Sequence, residues 1–100
     1  SAGTAITTAI YSLLNNKVIK NNVAITGEIN LQGCVTAIGG LELKILGGIK
    51  AGVKTFIFPE ENLKDYNKFI EKYKPKNIIP EDIKFINVNN INQVLKIVFE

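Results

Sequence analysis

Three short apolar runs, VAITG (23–27), KTFIF (54–58) and IKFINV (83–88), alternate along the chain with segments of helical periodicity. That alternation constrains the fold more than any other feature. Strands separated by helices have room for the crossover that a parallel pairing needs. The order βαβαβα in the second half therefore predicts strands that are at least partly parallel. Between the first run and its helix, EINLQGCVTAI (28–38) alternates Ile29 and Leu31 with polar residues, then meets a glycine. That pattern predicts a strand, a turn near Gln32–Gly33 and a second strand. The expected class is α+β with α/β character: a mixed, partly parallel sheet flanked by helices.

The helical segments are legible by spacing. SAGTAITTAIYSLLN (1–15) sets Ala2, Ala5, Ile6, Ala9, Ile10 and Leu13 on one face and Thr4, Thr7, Thr8, Tyr11 and Ser12 on the other. This predicts an amphipathic helix with Ser1 at its N-terminal end, followed by a polar connection, NNKVIKNN (15–22). Gly39-Gly40 opens a helix over 41–51, stopped near Gly52. On its wheel Leu41, Lys44, Gly48 and Ala51 share a face, and the small Gly48 and Ala51 let another element come close. After Pro59, PEEN supplies early carboxylates that favour a helix start. Leu63, Tyr66, Ile70 and Tyr73 form one face of that helix. KPKNIIPED (74–82) reads as a loop holding two prolines. The last helix carries Ile91, Val94, Leu95, Val98 and Phe99 in register, with Asn89 or Asn90 as N-cap.

Composition narrows the function. At 100 residues the chain makes one domain at most, and its 46% hydrophobic content takes it out of the disordered class. No apolar run approaches the roughly 20 residues of a membrane span, and no basic-then-apolar leader opens the chain. The sequence does not begin with Met, and the expectation is a piece of a longer protein. The net charge of +3 comes from dispersed lysines without one arginine, with a local cluster only in KYKPK (72–76). Nucleic-acid binders concentrate Arg forks in a stripe, so this balance argues against nucleic acid and for a solvated basic surface. Cys34 is the one cysteine and there is no histidine. These residues cannot build an intrachain disulfide, a Ser-His-Asp triad, a Cys-His pair, an HExxH zinc site or a structural zinc site. A catalytic base here must be a lysine, a carboxylate or a terminal amine.

Two residues stand out on chemical grounds. Ser1, at the mouth of a helix, reads either as an N-cap or as a nucleophile whose oxyanion the helix N–H groups would favour. Lys44, in GGLELK (39–44), either lays its stem on apolar neighbours and releases its charge to water, or is desolvated and acts as a base. Thr26 ends the first strand; it satisfies the turn or hydrogen-bonds the lysine amine. Glu28 and Glu42 read as solvated carboxylates and Cys34 as a small packing residue. GGIKAG (47–52) lacks the GK[ST] ending of a phosphate-binding loop, which argues against nucleotide binding.

Taken together, SAGTAITTAIYSLL (1–14), VAITGEINLQGCVTAIGGLELKI (23–45) and GIKAGVKTFIFPEEN (48–62) resemble the proteolytic domain of Lon proteases, in order and in spacing. The resemblance spans nearly the whole chain, residues 1–100, and is to the bacterial and mitochondrial branch, read as the later part of the domain beginning at the nucleophile. It implies that the serine of the family's PxDGPSAG motif falls on Ser1. The general-base lysine of its GGxxxK motif falls on Lys44, at the family's interval. The threonine of its TGE motif, which orients that lysine, falls on Thr26. Catalytic residues would then be Ser1 and Lys44 with Thr26 in support, and no metal or cofactor-binding residue. The implied activity is ATP-dependent serine endopeptidase action on unfolded or damaged polypeptides. ATP and magnesium would be bound by a separate ATPase domain, the assembly would be a homo-oligomeric ring hexamer, and the location would be the cytoplasm or the mitochondrial matrix without membrane attachment. Two positions depart from the family pattern: Gln32 replaces a basic residue in the turn, and Glu42-Leu43 replaces Lys-Glu before the lysine.

Two other readings compete. One is a catalytically inactive Lon-like assembly domain, as in a bacterial DNA-repair ATPase of this fold; such domains typically lack the serine and the lysine, and this chain has both. The other makes Ser1 a processed N-terminal nucleophile with its own α-amine as base, at a pKa of about 7.7–8.0. In Lon proteases the serine is internal, which disfavours that reading.

Overall fold

The computed structural model describes residues 3–15 and 22–99 of the chain. Its centre is a parallel sheet of three strands. β1 (Val23–Ile25) pairs with β4 (Thr55–Pro59), and β4 pairs with β5 (Lys84–Val88), with Val23 opposite Thr55 and Thr55 opposite Lys84. A separate antiparallel pair joins β2 (Glu28–Ile29) to β3 (Val35–Thr36). Among the described residues four α-helices flank these strands: α1 (Gly3–Asn15), α2 (Leu41–Lys50), α3 (Leu63–Tyr73) and α4 (Ile91–Phe99). Parallel strands beside a separate antiparallel pair, with helices around them, give the α+β, partly parallel architecture that the alternating runs predict.

The middle strand explains the layering. Successive side chains of a strand point to opposite faces. Phe56 and Phe58 of β4 join Ile38, Leu41, Ile45 and Phe69 in one core, under α2 and α3. Ile57 joins Val35, Val88, Val94 and Val98 in a second core, under α4. A strand buried on both faces reads as a continuous apolar run, as KTFIF does. Aromatic packing closes the first core, with Phe58 and Tyr66 stacked at 4.9 Å between centroids. The four residues expected to form one face of α3 all pack against this core, and Phe69, absent from that face as read, is the residue of α3 buried within it.

Local chemistry sets the ends of the elements. Asn90 caps α4: its Oδ1 accepts from the Asn92 amide at 2.8 Å, while Gln93 Oε1 accepts from the amides of Asn89 and Asn90. That is a reciprocal capping box, and it resolves the choice of N-cap in favour of Asn90. The hairpin turn is held by Asn30, whose Oδ1 accepts from the amides of Gln32 and Cys34 at 3.0 Å. PEEN opens as a 3-10 turn, Glu60–Asn62, before α3 begins.

Three expectations need correction. Thr4 and Thr8, placed on the polar face of α1, are completely buried, while Ala5 is exposed. Burial is tolerable because both hydroxyls donate, Thr4 to the Gly27 carbonyl and Thr8 to the Thr4 carbonyl. Cys34, read as a packing residue, is exposed. On α2 the buried stripe is Leu41 and Ile45, and a methyl on Gly48 would lie 3.3 Å from the Phe56 ring. Lys44 and Ala51, expected to share the packing face with Leu41 and Gly48, sit to one side of the stripe and are exposed.

Candidate active site

The carboxyl ends of the parallel strands hold Thr26 and meet the first turn of α1. In open parallel sheets this edge is where binding crevices form. Thr26 follows β1 directly, and its amide extends the ladder by donating to the Ile57 carbonyl at 3.0 Å. Thr26 is 5% exposed, and among the described residues its buried Oγ1 has no hydrogen-bond partner. Most buried hydroxyls are paired, so an orphan at the end of a strand asks for an explanation.

Gly27 brings α1 to the same edge. Its carbonyl accepts from both the amide (3.3 Å) and the hydroxyl (3.2 Å) of Thr4. Its φ is +145°, and a methyl there would stand 2.6 Å from Val35 Cγ1 and 3.2 Å from Pro59 Cγ. Only glycine fits that approach. Gly3 also packs closely, and a methyl there would lie 3.2 Å from Ile29 Cγ2. The first turn of α1 is thus docked on the TGE segment. Ser1 itself lies outside the described residues, so its geometry is not part of this structure.

Lys44 lies in the first half of α2. Gly40 precedes the helix in the left-handed conformation, φ 70°, and its carbonyl receives the Lys44 amide at 3.1 Å. The side chain of Lys44 is exposed. The start of α2 is held against the carboxyl end of β4 by side chains. Glu61 Oε1 accepts from the Ala37 amide at 2.7 Å. Asn62, 1% exposed, accepts from the Ile38 amide at 2.9 Å and donates to the Ile38 carbonyl at 3.0 Å. The fold therefore brings the first turn of α1, Thr26 and the start of the Lys44 helix to one edge of the sheet. Sequence reasoning missed Glu61 and Asn62, reading PEEN only as helix-start carboxylates. The available signal was an asparagine set between a strand-ending proline and an apolar helix face.

The two carboxylates considered earlier differ. Glu28 is exposed. Glu42 bridges helices: its Oε2 accepts from Tyr73 Oη at 3.0 Å and from Lys72 Nζ at 3.3 Å. Hydrogen bonding to Tyr73, and then to Glu42, holds the Lys72 ammonium above the ordinary lysine range. GGIKAG forms the last turn of α2 and its exit, with the Ala51, Gly52 and Val53 amides returning to the helix. A helix C-terminus presents carbonyls and negative potential, the wrong end to cradle a phosphate. Among the described residues no three His, Cys, Asp or Glu groups cluster to hold a metal, and no helix is long and apolar enough to cross a membrane.

Residues 1–100 match the sequence model of the Lon protease (S16) C-terminal proteolytic domain. This chain belongs to the Lon protease family. The Lon protease of Buchnera aphidicola subsp. Schizaphis graminum is 47% identical over 100 residues, covering the whole chain and 12% of that protein. The Lon protease of Rickettsia typhi is 46% identical over 96 residues, covering 96% of the chain and 12% of that protein. That of Desulfatibacillum aliphaticivorans is 41% identical over 96 residues, covering 96% of the chain and 11% of that protein. The chain thus spans only about a tenth of the length of these Lon relatives. The family is one of proteases, as the resemblance of the serine, threonine and lysine motifs implies.

Proposed function

We propose that the chain carries the catalytic dyad of an ATP-dependent serine endopeptidase, with Ser1 as nucleophile, Lys44 as general base and Thr26 orienting the lysine. The observation that carries this reading is the convergence on one sheet edge of the α1 start, the unpaired Thr26 hydroxyl and the start of the Lys44 helix, in a chain of the Lon family. Ser1 Oγ attacks the scissile carbonyl carbon as its proton passes to Lys44 Nζ. The tetrahedral intermediate collapses, the C–N bond breaks, and Lys44 returns the proton to the leaving amine. Water then attacks the acyl ester, giving one proton to Lys44, which passes it to Ser1 Oγ as the carboxylic acid leaves. Lysine accepts a proton only when it is itself neutral, so water must be kept from the amine during turnover. Lys44 is exposed in the single chain, and on this reading substrate and the surrounding protein supply that exclusion.

The whole protein would act on unfolded or damaged polypeptides as a ring of six copies, in the cytoplasm or the mitochondrial matrix. ATP and magnesium would be handled outside this chain, whose glycine-rich segment ends a helix and does not suit a nucleotide. The rival reading is an assembly domain without catalysis. Hydrolysis of a fluorogenic peptide by the intact parent protein, wild type beside Lys44→Met, separates the two. Cleavage by the wild type and none by a folded, assembled variant supports the dyad. Equal turnover by both would remove Lys44 from the mechanism, and no turnover by either would favour the scaffold.

A further inference from the structure

Lys44 is fixed to the fold through its helix, and the approach to that helix is held in an unusual way. After β3 ends at Thr36, residues 37 to 40 join no strand. A side chain built on Gly39 or Gly40 would meet nothing within 4 Å. On that side an open cleft of about 380 Å3 separates the start of α2 from α3. What holds the segment is a pair of adjacent side chains. Glu61 takes the Ala37 amide, and Asn62 takes both the amide and the carbonyl of Ile38, as a neighbouring strand would.

Asn62 gives up an ordinary role to do this. It stands at the N-cap of α3, where asparagine commonly caps its own helix, yet its side chain makes no capping bond. Its orientation is set chemically. A carboxylate only accepts, so Asp65 Oδ2, 2.9 Å away, must face the Nδ2 end, which turns Oδ1 toward the Ile38 amide. Two residues beyond Ile38, the Gly40 carbonyl receives the Lys44 amide.

We infer that Asn62, seconded by Glu61, is a positioning residue: its carboxamide sets the entry of α2 and with it the place of Lys44. The inference rests on the Ser-Lys reading above. A shift of a fraction of an ångström at the helix entry displaces the base without altering the surface that binds peptide, so kcat suffers and KM does not.

The test uses the full-length protein and a fluorogenic peptide, with ATP hydrolysis and thermal melting followed in parallel. Asn62→Ser is expected to lower kcat about tenfold or more with KM within about twofold. Glu61 lies on the surface, so Glu61→Ala removes half of the clamp without opening the core. It is expected to lower kcat by roughly threefold, and Glu61→Gln, which keeps an acceptor for the Ala37 amide, to restore it. Unchanged kcat in Glu61→Ala and in a folded Asn62→Ser overturns the inference, as does a loss that only tracks the unfolded fraction. If Asn62→Ser does not fold, the Glu61 pair decides alone. Retained turnover in Lys44→Met sinks the dyad and this inference together. A dead Lys44→Met beside wild-type kinetics in the clamp variants sinks only this one.

Discussion

Thr26 and Gly27 are neighbours with opposite accounts. The Thr26 hydroxyl is buried and has no partner among the described residues, so the described fold gains nothing from it. Thr26→Val keeps the shape and removes the orphan. It is expected to raise unfolding stability by about 1 kcal/mol in a denaturant titration while slowing peptide hydrolysis. A loss of stability instead would mean that the hydroxyl has a structural partner. Gly27 is structural in the strict sense, because any side chain must displace Val35 or Pro59 and adopt a left-handed backbone. Gly27→Ala should cost about 3 kcal/mol or more, read as a fall in denaturation midpoint.

Among the elements, α4 and the β4–β5 pair offer separable tests. Asn90→Ala removes the cap of α4 and should cost about 1 kcal/mol, seen in thermal melting as well as in early amide exchange of the first turn. Lys54 and Asp82, 3.0 Å apart, tie the starts of β4 and β5. The hydrogen bond from Lys54 holds the Asp82 carboxyl below the usual carboxylate range. A depressed folded pKa gives stability present above the unfolded pKa and lost as pH falls through the folded one. In an NMR titration Asp82 should therefore ionise at lower pH in the wild type than in Lys54→Met. The elements themselves were largely readable, because KTFIF and the heptad-like spacing of α4 each have one periodic interpretation. The entries to α2 and α3 were not. Asn62 looks like a cap in sequence, and nothing local says that it spends its hydrogen bonds on Ile38, far away in the chain.

At the scale of the molecule, the first turn of α1, the TGE segment and the start of α2 meet at one edge of the sheet, in a chain that matches the Lon model over residues 1–100. The setting of Lys44 was less legible. A helical wheel put it with Leu41 and Gly48, but burial follows Leu41 and Ile45, and a wheel cannot tell the centre of a stripe from its margin. Leu31, at the tip of the hairpin, is fully exposed. Leu31→Ser should leave the denaturation midpoint of the domain within about 0.5 kcal/mol of wild type, since no buried contact is lost.

One strand, β4, serves both cores, with Phe56 and Phe58 on one side and Ile57 on the other. Neither half of the domain has a private backbone on which to survive the loss of the other. Local opening can free the hairpin or a helix end, but the slowest-exchanging amides of β4 report only the disappearance of the whole. A domain built this way is either intact or gone, with little half-folded population in between.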